Sequence, residues 1–119
     1  MLSDPRILVV DDEEIVREPL RRWFIHRGFD VDVAGNGKEA VDMADTNRYA
    51  AIIMDLEMPV MGGKEAISQI MGSDPKTPIL VLTGFSADSG EVMKLGARGV
   101  FRKPTRLSDL EAEVRKVMR

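Results

Sequence analysis

The stretch RILVVDDEE, residues 6–14, sets the reading of the whole chain. Four consecutive apolar residues, Ile7 to Val10, stop at two aspartates, Asp11 and Asp12. An apolar run without polar alternation reads as a strand covered on both faces, as central strands of parallel sheets are. Working outward, similar runs recur at Val31–Ala34, Ala50–Met54, Ile79–Thr83 and Gly99–Phe101. AIIM and ILVL are nearly as continuous as ILVV, whereas the second and fifth runs are weaker, as strands nearer an edge would be.

Amphipathic stretches separate the runs. Val16, Leu20, Trp23 and Phe24 share one helical face, although Pro19 inside that stretch predicts a kink or a late start. Asn36 with Glu39 three residues on reads as a capping box opening a helix that buries Val41 and Ala44. Ala66, Ile67, Ile70 and Met71 mark a third helix that ends at Gly72 and Ser73. The fourth, from about Ser86 to Leu95, is the weakest, with Ser89 and Gly90 in its middle. Ser108 with Glu111 reads as a second capping box, and Leu110, Val114, Val117 and Met118 give the last helix its face. Five strand–helix alternations predict an α/β, doubly wound, five-stranded parallel sheet of order 2-1-3-4-5, with helices on both faces.

Composition narrows the function. Seventeen Lys and Arg against 20 Asp and Glu give a net charge of −3, without the basic face that a nucleic-acid binder carries. The absence of cysteine excludes disulfides, thiolate metal sites and cysteine nucleophiles. The acidic N-terminal stretch does not read as a signal peptide, and no run approaches the roughly 18 apolar residues of a membrane span. The expectation is one domain over residues 1–119, in the cytoplasm, with neither membrane nor direct nucleic-acid contact. The lone His26, amid arginines, reads as a surface residue, and the eight methionines as core filling.

The polar residues at the run ends carry the chemistry. Asp11 and Asp12 follow the first run, Asp55 the third, Thr83 closes the fourth and Lys103 follows the fifth. In a parallel sheet these ends lie on one edge, where ligands bind at the point of reversed winding. Two carboxylates about 4 Å apart repel by roughly 4 kcal/mol at an effective dielectric of about 20, so a cation has to offset them. All-oxygen ligands suit a hard cation such as Mg²⁺. A carboxylate can also act as a nucleophile and form an acyl phosphate. Met58, Pro59 and Gly62–Gly63 beyond Asp55 predict a tight loop that approaches a metal and a phosphate closely, and Gly84 leaves room over the crevice.

LVVDDEE (8–14), IIMDLEMPVMGG (52–63), ILVLTGF (79–85) and GARGVFRKP (96–104) resemble, in order and spacing, the receiver domains of two-component signalling, including single-domain chemotaxis regulators. The resemblance implies a flavodoxin-like fold and a switch that receives a phosphoryl group on Asp55 from a sensor histidine kinase or phosphotransfer protein. It implies Mg²⁺ held by Asp11, Asp12, Asp55 and the backbone carbonyl of Glu57. It also implies that Thr83 and Lys103 meet the phosphoryl group, that the Lys103–Pro104 peptide is cis, and that a downstream output protein or domain reads the switch. Such a domain is no enzyme beyond catalysing its own phosphorylation and slow dephosphorylation. Glu57 and Phe85 fall where the family tunes the phosphoryl lifetime. One departure is visible: the family's aromatic switch residue sits three places before the lysine, here Val100, and Phe101 should face the other way. Two alternatives stand beside this reading: a receiver-like interaction module that works without phosphate, and an aspartate-nucleophile phosphatase with Glu57 as its second acid.

Overall fold

The computed structural model describes residues 4–84 and 88–119. Five strands, β1 (Arg6–Val10), β2 (Asp30–Ala34), β3 (Ala51–Met54), β4 (Ile79–Thr83) and β5 (Gly99–Arg102), alternate with five helices. These are α1 (Glu14–His26), α2 (Gly37–Thr46), α3 (Gly63–Ser73), α4 (Ser89–Lys94) and α5 (Leu107–Val117). The strands pair in parallel in the order 2-1-3-4-5, as expected. The two runs with the weaker hydrophobicity are the edges, and the three continuous runs are the centre.

Alternation along each strand splits the core into two layers. Leu8, Val10, Ile52, Met54, Ile79 and Val81 pack with Ala40 of α2, Ala66, Ile67 and Ile70 of α3, and Val92 of α4. Ile7, Val9, Ile53, Leu80 and Leu82 pack with Leu20 and Phe24 of α1 and Leu110 and Val114 of α5. The β5 reading holds: Val100 joins the first layer and Phe101 the second.

Local chemistry explains the helix ends. Asn36 caps α2 by accepting the Glu39 N–H at 2.9 Å, while Val41 and Ala44 are half-buried rather than buried. After α1 the chain turns at Gly28, whose φ of 95° suits a residue without a Cβ. The N–H of Phe29 then reaches the Phe24 carbonyl and that of Gly28 the Ile25 carbonyl. The two phenylalanine rings meet edge to face at 5.2 Å, the apolar contact that accompanies this helix stop.

Three expectations are revised in part or whole. α1 has no late start: it begins at Glu14 and runs through Pro19, because packing of Leu20 and Phe24 outweighs the hydrogen bond that the proline cannot donate. α4 spans only Ser89–Lys94 and is capped by Asp88, whose carboxylate accepts the N–H groups of Gly90 and Glu91; Ser86, like Phe85, lies outside the described residues. The Ser108–Glu111 box does not form, because α5 begins at Leu107 with Arg106 as its cap and no side-chain cap bond.

Glu111 is buried instead and joins α5 to α1. Its carboxylate accepts Trp23 Nε1 at 3.0 Å, Arg27 Nε at 3.0 Å and Arg115 Nε at 2.9 Å. Burial pushes its pKa up, but the bonds from Arg115 and Trp23 and the charge of Arg27 overrule this and hold it below the usual value. Glu111→Ala is therefore expected to lower stability at pH 7 by about 2–3 kcal/mol, read from urea unfolding. A depressed pKa stabilises above the unfolded value, so the gap should narrow as pH falls below about 4.5. A loss under about 0.5 kcal/mol at pH 7, the range of ordinary surface substitutions, would contradict this role.

Candidate functional site

The sheet register builds the site. Val10 pairs with Met54, so the next residues, Asp11 and Asp55, leave neighbouring strands side by side. The Asp55 N–H donates to the Val10 carbonyl at 2.9 Å and the Asp11 N–H to the Ala34 carbonyl at 3.1 Å. Carboxylate oxygens of Asp11, Asp12 and Asp55 lie within 4.8 Å of one another. Asp11 and Asp55 are buried and Asp12 is exposed.

Lys103 arrives from the end of β5. Its Nζ donates to Asp11 Oδ2 at 2.7 Å and stands 3.7 Å from Asp55 Oδ2. Its N–H donates to the Thr83 carbonyl at 2.8 Å, and the Lys103–Pro104 peptide is cis as expected. Thr83 is buried at the end of β4, on the same sheet edge. Asp12, Glu13, Asp55, Glu57, Gly84 and Lys103 line a cavity of about 300 Å³.

Charge in this crevice is under-compensated. Burial, reinforced by Asp11, pushes the Asp55 carboxyl up to about 6, although Lys103 and the N–H groups of Leu56 and Glu57 pull the other way. For Lys103, burial disfavours the cation, yet the hydrogen bond and charge of Asp11, with the Asp55 charge, hold its pKa above the usual lysine value. Three carboxylates face one ammonium, so a divalent cation would bring the formal charge to zero. The donors are all hard oxygens at mutual distances a single ion can span, so the residues fit a hard divalent cation.

The loop after Asp55 folds tightly back on the site. The Gly63 N–H donates to the Leu56 carbonyl at 2.9 Å. A Cβ at Gly63 would collide with the Asp55 carbonyl and the Leu56 Cα, so only glycine permits this approach. Val60, at the tip, has φ 69° and is 81% exposed. A β-branched residue pays roughly 1–2 kcal/mol in this left-handed region, and Val60 packs too little to recover it. Val60→Asn is expected to raise the urea midpoint by the equivalent of about 1 kcal/mol; an unchanged or lower midpoint would show the loop is unstrained.

The structure thus brings Asp11, Asp12, Asp55 and Lys103 together, with Glu57 on the rim and Thr83 on the same edge; Phe85 lies outside the described residues. His26 is exposed at the end of α1. Two neighbours escaped the sequence reading. Glu13 lines the cavity and donates its N–H to Asp11 Oδ1 at 3.0 Å. Arg17 donates from Nη1 to the Asp11 carbonyl at 2.7 Å. The available signal was spacing: Arg17 lies one helical turn after Glu13 and reaches back over the loop.

The family model of the response regulator receiver domain matches residues 7–115. The response regulator MprA of Mycobacterium tuberculosis is 41% identical over 116 residues, which are 96% of this chain and 50% of the relative. The chain spans about half the length of the curated relatives it matches. The response regulator TrrA of Thermotoga maritima, solved in complex with Mg²⁺ and BeF, is 32% identical with a TM-score of 0.88, over 95% of this chain and 98% of its own. The Vibrio cholerae chemotaxis protein CheY4 is 30% identical with a TM-score of 0.90, over 97% and 99%.

Proposed function

The chain belongs to the response regulator receiver domain family, and on that premise we propose that Asp55 is its phosphoacceptor and that Mg²⁺ is the cation of the acid cluster. The observation that carries this reading is the meeting of Asp11, Asp12, Asp55 and Lys103 at one sheet edge, on neighbouring strand ends. At neutral pH Asp55, with a pKa of about 6, is ionised and nucleophilic. Its oxygen attacks the phosphorus of a phosphohistidine, the P–N bond breaks, and the phosphoryl group becomes an acyl phosphate. Lys103 stands close enough to Asp55 to meet one of the new oxygens, and Thr83 offers a hydroxyl from the neighbouring strand. Mg²⁺, held by Asp11, Asp12, Asp55 and the Glu57 carbonyl, supplies charge neutralisation for the transferred group when bound.

The donor is a sensor histidine kinase or phosphotransfer protein, and the setting is the cytoplasm; no helix among the described residues is long and apolar enough to cross a membrane. Beyond taking up and slowly losing its own phosphoryl group, the domain has no enzymatic role. The signal passes to an output protein or domain, in keeping with curated relatives about twice as long. α4, only six residues long, suits the switching element, because such elements come from the less stable part of a fold. Since Val100 occupies the position of the usual aromatic and packs into the layer of α2–α4, the change at Thr83 is read there by an aliphatic contact.

The test is a beryllofluoride titration with Mg²⁺, followed by NMR, on the parent and on Asp55→Asn. The expected result is a Mg²⁺-dependent saturable shift in the parent alone. No response in the parent would overturn the reading, and so would an equal response in the variant.

A further inference from the structure

The two acids between β1 and α1 are held in different ways. Every polar group of Asp11 has a partner: its N–H the Ala34 carbonyl, its Oδ1 the Glu13 N–H, its Oδ2 Lys103, and its carbonyl the Arg17 guanidinium at 2.7 Å. Asp12 is exposed, and its carboxylate has no hydrogen-bond partner among the described residues. No such contact therefore holds it in place, and the backbone sets the position from which its few staggered rotamers reach out.

That backbone is fixed from both sides. The Asp11 carbonyl belongs to the planar peptide that carries the Asp12 nitrogen, so anchoring this oxygen sets the plane from which the Asp12 side chain departs. On the far side Glu13 is tied through its N–H to Asp11 and through its carbonyl to the N–H groups of Val16 and Arg17. The guanidinium is half-buried and reaches across to the loop after β2, where a Cβ on Gly35 would lie 3.7 Å from Nη1. The guanidinium thus lies between the loops that follow β1 and β2, bonded to the first.

We propose that Arg17 is a positioning residue for the metal site: by clamping the Asp11 carbonyl it aims the otherwise unsupported Asp12 carboxylate at the cation shared with Asp55. The inference rests on the reading of the acid cluster as a Mg²⁺ site. Groups behind the ligands of a metal commonly change its affinity ten- to a hundredfold when removed, and a charge-assisted bond to a backbone carbonyl is among the stronger of such supports.

The sign of the effect separates positioning from charge. Removing a cation near a divalent-metal site should, on electrostatics alone, tighten Mg²⁺ binding. Loss of the clamp should weaken it. Arg17→Met and Arg17→Gln, which shorten or remove the donor, are compared with the parent by calorimetric Mg²⁺ titration at pH 7 and by metal-free melting. The expected result is Mg²⁺ affinity weakened about tenfold in either folded variant, while Arg17→Lys, which keeps charge and donor, recovers most of it. Affinity within twofold of the parent, or tighter, in a folded variant would overturn the proposal even if melting temperature falls. A parent that binds no Mg²⁺ would overturn the site reading first, and the role of Arg17 with it.

Discussion

Asp55→Asn is expected to melt about 4–10 °C above the parent in metal-free buffer at pH 7, and to take up no phosphoryl group. The first half follows from the crevice itself. Burial and the neighbouring Asp11 raise the Asp55 carboxyl to about 6 in the folded protein, against about 3.9 in an unfolded chain. Holding it ionised at pH 7 thus disfavours folding by about 2–3 kcal/mol. An asparagine carries no such charge, and its amide oxygen can still accept the Leu56 N–H that Asp55 Oδ1 now takes at 2.9 Å. That figure already contains the attraction of Lys103, 3.7 Å from Asp55 Oδ2; the amide must still bury an NH2 group where that oxygen was, beside the ammonium, which leaves about 1–2 kcal/mol. The pH dependence has a definite sign. A raised folded pKa leaves the folded state binding the extra proton between about pH 4 and 6, so the parent loses stability as pH rises through that window. The gap between the two proteins should nearly vanish at pH 4 and be complete at pH 7. Added Mg²⁺ should close it from the other side by stabilising the parent more than the variant. A variant that melts at or below the parent at pH 7 would show that the acids are already balanced without metal.

The features legible in the sequence are those decided by neighbours along the chain. ILVV, AIIM and ILVL announced central strands because burial on both faces leaves no polar alternation, and the acids directly after the first and third runs then had to share an edge. Asn36 worked for the same reason, since its acceptor and the Glu39 N–H are three residues apart. Ser108 and Glu111 show the same spacing and the opposite outcome. Trp23 and Arg27, the partners that decide where Glu111 goes, lie 88 and 84 residues away, and a local pattern carries no information about them. Arg17 is a different case: its partner is only six residues away and the spacing allows the contact, but a helical arginine looks the same whether it faces water or a carbonyl. The strain at Val60 was invisible too: a valine in a loop gives no sign that the turn demands a positive φ.

Lys103→Met separates the two cations of the crevice, because its two effects run in opposite directions. Without metal, Asp11 and Asp55 would remain buried with the only ammonium they meet among the described residues gone; Asp11 would lose a 2.7 Å bond and Asp55 a charge at 3.7 Å. Removing one member of a buried pair costs about 3–5 kcal/mol. Here the lysine is 22% exposed, so water screens part of that, and about 2–3 kcal/mol is expected, or roughly 8–12 °C in metal-free melting at pH 7. The methionine keeps most of the aliphatic stem, so little of the loss comes from packing. With metal the sign reverses. A lysine and a divalent ion share the same acids and repel each other, so taking the lysine away should tighten Mg²⁺ binding, by about tenfold for 1–2 kcal/mol of relieved repulsion at a water-like dielectric. The variant should therefore recover most of its melting temperature at millimolar Mg²⁺. Equal melting of parent and variant without metal would mean that Lys103 balances no charge in the crevice. Weaker Mg²⁺ binding in the variant would mean that the lysine holds the acids in place for the ion, rather than competing with it.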